Sequence, residues 1–245
     1  MEAQATLGVD LVRRDQRRAL ALVTAVCALS WAWSLRMAAS VGEAPHHAHG
    51  LWPLALMWAG MMVAMMVPPE VPRVLWLVRA FRQERRDPFV PTLAFLGGYL
   101  APWMVASVAA ALLQAKLASA GLLTQRMATD SRILGGTLLL AAGAMQLSPL
   151  KGACLARCRF RAEASVPPEE NAAGSLLRGA SQGAVSIGSC GLLMLVLFVT
   201  GVMSPVAMSL VTTLLLLENI APLHWPVRWV AGVLLLVWGA SQFLV

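Results

Sequence analysis

Five of the chain's 13 methionines fall within ten residues: Met57, Met61, Met62, Met65 and Met66. A thioether is a soft, neutral ligand suited to Cu(I). It is equally a pliable packing group. On a helix turning about 100° per residue, Met57, Met61 and Met65 descend one line and Met62 and Met66 the next, with Trp58 among them. The opposite face holds Ala59, Gly60, Val63 and Ala64. Gly60 and Ala64 form a small-xxx-small pair that lets another helix approach closely. The sulfur face therefore suits either a soft-metal site or gap filling. A site would need donors from other helices. Cys190 and Met194, one turn apart, are the candidates, with Met203 and Met208 nearer the outer side.

Three further groups could bind or react. His46, His47 and His49 precede the methionine run, and neutral imidazole binds copper, nickel and zinc. They suit either first capture of a metal or a solvated loop. Cys154 and Cys158 would share a helix face. Nearby Lys151, Arg157 and Arg159 would favour thiolate, giving a reactive pair or half of a metal site; a closed zinc site needs four ligands. Glu218 ends a leucine run, where an ionisable group is either functional or an interface marker. Glu70, after Pro68 and Pro69, reads as interfacial. No Walker A motif, Rossmann fingerprint or Ser-His-Asp order is present, and no His-plus-carboxylate set offers acid–base catalysis.

The elements that must position these residues follow from composition. Of 245 residues, 58% are hydrophobic and 13% charged, about half the charge of a soluble domain. Several apolar runs approach the ~20 residues that cross a bilayer as a helix. Backbone groups in lipid pair within their own segment, so the spans are helices. The expected fold is all-α, a single polytopic transmembrane bundle over 1–245. Seven spans are expected, at 19–35, 51–67, 90–114, 133–147, 179–203, 205–217 and 227–245. With the N-terminus cytoplasmic, 15 of the 19 lysines and arginines fall inside, as the positive-inside rule requires. The net charge of +7 then orients the chain rather than binding nucleic acid. The start also resembles a cleavable signal peptide through Met37 to Ser40, which would leave six spans. Residues 164–174 read as a cytoplasmic loop.

Three segments, in order, carry a family resemblance. The first is Met57-Trp58, then Met61-Met62-Val63-Ala64-Met65-Met66-Val67-Pro68. The second is Gln146-Leu147-Ser148-Pro149-Leu150-Lys151, then Cys154 and Cys158. The third is Gly188-Ser189-Cys190, Met194, Phe198, Gly201-Val202-Met203 and Leu217-Glu218. Together they resemble the bacterial family of predicted metal-binding integral membrane proteins, domain of unknown function 2182. The resemblance implies metal binding and names neither metal nor reaction. Ser186 and Ser189 stand where members of that family often carry more cysteines.

The leading expectation is an inner-membrane, multi-pass protein that binds a soft transition metal, copper above all, for handling or delivery. Its ligands would be Met57, Met61, Met62, Met65, Met66, Cys190 and Met194, with Cys154, Cys158 and Glu218 at a cytoplasmic exit or second site. Its surroundings would be the lipid bilayer, with a protein partner or a second copy. The alternatives are a non-metal scaffold with methionines as packing, and a metal-dependent membrane oxidoreductase.

Overall fold

A computed structural model of the chain describes residues 2–40, 50–84, 86–124, 127–158, 171–219 and 224–244. Among these the chain is all-α, as its composition leads one to expect, with a lone β-bridge between Leu123 and Thr129. Ten helices follow in order: α1 (Glu2–Ser40), α2 (Leu51–Met66), α3 (Val71–Gln83), α4 (Phe89–Ser119), α5 (Arg132–Leu147), α6 (Pro149–Cys158), α7 (Ala172–Leu195), α8 (Leu197–Thr200), α9 (Pro205–Asn219) and α10 (His224–Ser241).

Local sequence explains most ends. α2 stops before Pro68-Pro69, because proline lacks the N–H that an α-helix needs. One 3₁₀ turn, Pro68–Glu70, then leads into α3. Ser131 caps α5, its Oγ accepting from the Leu134 N–H at 3.3 Å. Asn171 caps α7 in the same way through the Gly174 N–H, 3.2 Å. Pro149 opens α6, which leaves α5 at 66°. Gly201, at φ 97°, turns the chain after α8, in a left-handed conformation that favours glycine.

Among the described residues, four helical stretches are long and apolar enough to cross a membrane: Asp10–Ala39, Leu51–Gln83, Phe89–Ser119 and Ala172–Thr200. A fifth is added if α5 and α6 count as one bent span. α9 and α10 are apolar but shorter. The expected segments 19–35, 90–114, 133–147 and 205–217 lie within helix; 51–67 and 227–245 run past the ends of α2 and α10 at Met66 and Ser241, and the fifth is interrupted at Val196, its helix ending at Thr200.

Two close approaches set the frame. α4 and α7 touch through glycine: a Cβ at Gly98, Gly179 or Gly183 would lie 2.0, 2.1 or 2.3 Å from the carbonyl oxygens of Leu176, Phe95 or Tyr99. Only the absent side chain permits that contact. The small face of α2 receives α1. A Cβ on Gly60 would lie 3.1 Å from the Trp33 ring, and Trp31 Nε1 donates to the Ala64 carbonyl at 3.2 Å. With α1 on that side, the methionine side of α2 turns toward α4, α7 and α9.

Candidate metal centre

All five α2 methionines are buried. They belong to one cluster with Cys190 and Met194 of α7, Met203, Met208 of α9, and the aromatic rings of Trp58, Tyr99, Trp103 and Phe198. The thioethers therefore point into the protein interior. Within the cluster, the Trp58 and Phe198 rings lie 5.3 Å apart, and the Trp58 indole donates to Gln114 Oε1 at 2.7 Å. Gln114 Nε2 in turn donates to Met127 Sδ at 3.0 Å.

The sulfur column meets α7 at its lower end. Cys190 Sγ lies 4.0 Å from Met66 Sδ and donates to the Ser186 carbonyl at 2.9 Å. The Tyr99 hydroxyl donates to the Met66 carbonyl at 3.2 Å and lies 3.3 Å from Ser186 Oγ. A cavity of about 20 Å³ opens here, lined by Met66, Cys158, Cys190, Ser186, Glu70 and Glu218 among others. About 10–15 Å³ suffices for one water, so the space fits a single water-sized body.

Two polar clusters flank this cavity. In the first, Lys151 Nζ lies 2.8 Å and 3.0 Å from the two Glu218 oxygens, with Lys151 0% and Glu218 1% exposed. Gln146 bridges them, donating to Glu218 and accepting from Lys151. In the second, Glu70 accepts from Arg73 Nε at 3.0 Å and from Gln182 Nε2 at 3.1 Å. Arg73 and Gln182 also donate to the Cys158 carbonyl, at 2.7 and 3.1 Å. That satisfies a carbonyl left open at the end of α6 and pins α6 to α3 and α7. Cys158 Sγ thereby sits 3.7 Å from Ser189 Oγ.

These clusters add what the sequence reading lacked. Glu70 and Glu218 are both buried in the protein, and each has the partners a buried carboxylate needs, Arg73 and Gln182 for one and Lys151 and Gln146 for the other. The Lys151 ammonium is held by Glu218 and Gln146.

The fold thus brings Met57, Met61, Met62, Met65, Met66, Cys190 and Met194 into one interior, and places Cys158 and Glu218 at its edge cavity. Cys154 is half-buried, its Sγ facing Gly188, and does not line that cavity. His46, His47 and His49 lie outside the described residues. Among the described residues, no group of three or more His, Cys, Asp and Glu is placed to hold a metal ion.

Sequence reasoning missed Met127. It is buried on the loop between α4 and α5, at φ 55°, and joins the sulfur cluster from outside every expected span. No spacing signal links a lone loop methionine to α2. Bonds from the Val202 N–H to its carbonyl and from Gln114 to its sulfur tie it there, beside the local bond from its own N–H to the Thr124 carbonyl.

Residues 55–242 match the family model of PpoB2, described as a copper chaperone. No curated protein and no solved structure matches the chain.

Proposed function

The chain belongs to this copper chaperone family, and from that premise we propose a multi-pass membrane protein that holds Cu(I) on the methionine face of α2 and hands it to a partner. One observation carries the reading. Five thioethers of α2 and the Cys190 thiol share a single buried interior, with Met66 Sδ and Cys190 Sγ 4.0 Å apart. With a metal–sulfur bond of about 2.3 Å, as for zinc thiolates, two donors of a trigonal site lie about 4 Å apart. The observed pair has that separation without rearrangement.

Chemistry favours the same ion. Thioethers and a thiol are soft donors that suit Cu(I). Binding to Cys190 releases the thiol proton, and the resulting thiolate cancels the single positive charge of Cu(I). A neutral complex is the one that a low-dielectric interior tolerates. In this reading Met57, Met61, Met62 and Met65 form a path to Met66 and Cys190, with Met194 beside it. Cys158, and Cys154 behind it, offer the next thiols toward release. Glu218 orders that end through Lys151. His46, His47 and His49 would supply the first capture. The long apolar helices and the arginine bias support a bacterial inner membrane as the setting.

The test is Cu(I) titration of detergent-purified protein against a chromophoric Cu(I) chelator. The wild type should bind at least one equivalent, and the Met61→Leu, Met65→Leu double variant and Cys190→Ser should each lose affinity while keeping their helical signal. Equal copper binding by all three proteins would end the methionine site. The competing reading, methionines as packing alone, requires instead that the double variant lose its fold and that the wild type take up no Cu(I).

A further inference from the structure

A larger cavity, of about 370 Å³, lies between α1, α3 and α4, apart from the sulfur core. That volume falls within the ~300–1,000 Å³ range of small-molecule sites. Its walls are apolar: Leu22, Val23, Val74, Val78, Leu93 and Leu96. Its mouth is charged, with Asp15, Arg18, Arg82 and Asp87.

At the mouth itself two arginines face two aspartates, and the excess positive charge lies on the neighbouring turns of α1, where Arg13, Arg14 and Arg17 stand against Asp10. Asp15 lies between two guanidinium groups. One carboxylate oxygen pairs with Arg82, and the other lies 3.9 Å from Arg18 Nη1. Asp87 is engaged elsewhere, accepting from the Phe89 N–H at 3.3 Å. Arg18 is 63% exposed and also borders a shallow cleft lined by Arg13, Arg14 and Arg17. A cationic rim thus stands at the point where the apolar part of α1 begins.

Deeper in the cavity, Thr92 is buried and its Oγ1 has no hydrogen-bond partner among the described residues. Buried hydroxyls are satisfied as a rule; Thr92 lines the cavity with its Oγ1 closed off, and a turn about the Cα–Cβ bond would offer that hydroxyl to an occupant. That occupant needs an apolar part for the walls, an anionic part for the rim, and an oxygen or other acceptor between them for Thr92. A free phosphate lacks the first. A hydrocarbon lacks the other two.

We infer that this cavity seats an anionic glycerophospholipid: its phosphate at Arg18 and the neighbouring arginines, its ester region at Thr92, and one acyl chain along Leu22, Val23 and Leu96. The inference rests on the membrane setting proposed above. Basic pockets between membrane helices recognise anionic head groups on the same physical grounds.

The experiment is native mass spectrometry of delipidated, detergent-solubilised full-length protein, titrated with phosphatidylglycerol or with phosphatidylcholine of identical chains. Wild type should retain phosphatidylglycerol about fivefold better, the factor expected from one effective arginine. Arg18→Gln should erase that preference. Leu93→Trp, at a partly exposed position that tolerates bulk, should reduce retention of both lipids by filling the cavity. Arg36→Gln, at the other end of α1, should change nothing. Equal retention of the two lipids by wild type overturns the inference, as does an Arg18→Gln preference no smaller than that of Arg36→Gln. A protein that stays soluble without detergent overturns the membrane setting itself, a distinct result.

Discussion

Replacing Lys151 by methionine tests the polar end of the sulfur core. The ammonium it removes is 0% exposed and lies within 3.0 Å of both oxygens of Glu218, itself 1% exposed. The variant leaves a carboxylate in the interior with Gln146 as its remaining partner. Removing one member of a buried ion pair costs about 3–5 kcal/mol. For a chain of this size about 2–4 °C of melting temperature accompanies each kcal/mol, so the expected drop is roughly 6–20 °C. The Lys151→Met, Glu218→Gln double variant carries no charge at this cluster and keeps an amide to pair with Gln146. Replacing both members of such a pair is often neutral, so it should recover most of the loss. Tryptophan-fluorescence melts in detergent read both values. A single variant that melts within about 2 °C of wild type would refute the reasoning, as would a double variant no better than the single.

Three other expectations follow from the same geometry. Gly179→Ala places a methyl group 2.1 Å from the Phe95 carbonyl oxygen and should cost at least the ~1–3 kcal/mol of overpacking, whereas Gly97→Ala meets nothing within 4 Å and should be neutral in the same melts. Trp58→Phe strips the donor from Gln114 Oε1 and should cost about 1–3 kcal/mol, with equal melting of variant and wild type as the contrary result. If Cu(I) takes Cys190 as proposed, it displaces the thiol proton, and apparent Cu(I) affinity should rise with pH by up to about tenfold per unit. Cys190→Ser should flatten that slope, and an unchanged slope would remove Cys190 from the site.

The helices were readable because apolar length is a coarse and repeated signal, and because proline and capping residues mark their ends. The breaks at Pro68 and Pro149 and the caps at Ser131 and Asn171 are all local. The shared face of the methionines was readable as a periodicity, and Gly60 with Ala64 marked a side open to another helix; that α1 is that helix, and that the sulfurs turn inward, depends on contacts between helices. The polar clusters were not readable. Lys151 sits three residues before Cys154 in a basic stretch and looks like any loop charge. Its burial depends on Glu218, 67 residues away, and on the bend between α5 and α6. Glu70 depends likewise on Gln182, 112 residues on. Pairing across such separations leaves no trace in a local window.

Those pairings bear on which ion the cavity could accept. Hard cations seek carboxylate and carbonyl oxygen, and soft ones seek sulfur. Both carboxylates at the cavity are engaged: Glu70 by Arg73 and Gln182, and Glu218 by Lys151 and Gln146. The sulfurs are held less firmly, Cys158 by a serine hydroxyl at 3.7 Å, Met66 by a thiol at 4.0 Å, and Cys190 by one neutral bond to the Ser186 carbonyl that is lost with its proton when metal binds. An arriving ion would therefore break a strong ion pair to reach oxygen, but only weak contacts to reach sulfur. On this argument the ion pairs act as a filter, screening the oxygen donors from divalent metals. Zn²⁺ or Mg²⁺ at tenfold excess should leave Cu(I) occupancy of the wild type unchanged. In the Lys151→Met variant, where Glu218 loses its cation, Zn²⁺ should begin to compete. Competition by Mg²⁺, which seeks oxygen and not thiolate, already in the wild type would show that the carboxylates are available and that sulfur is not what selects the ion.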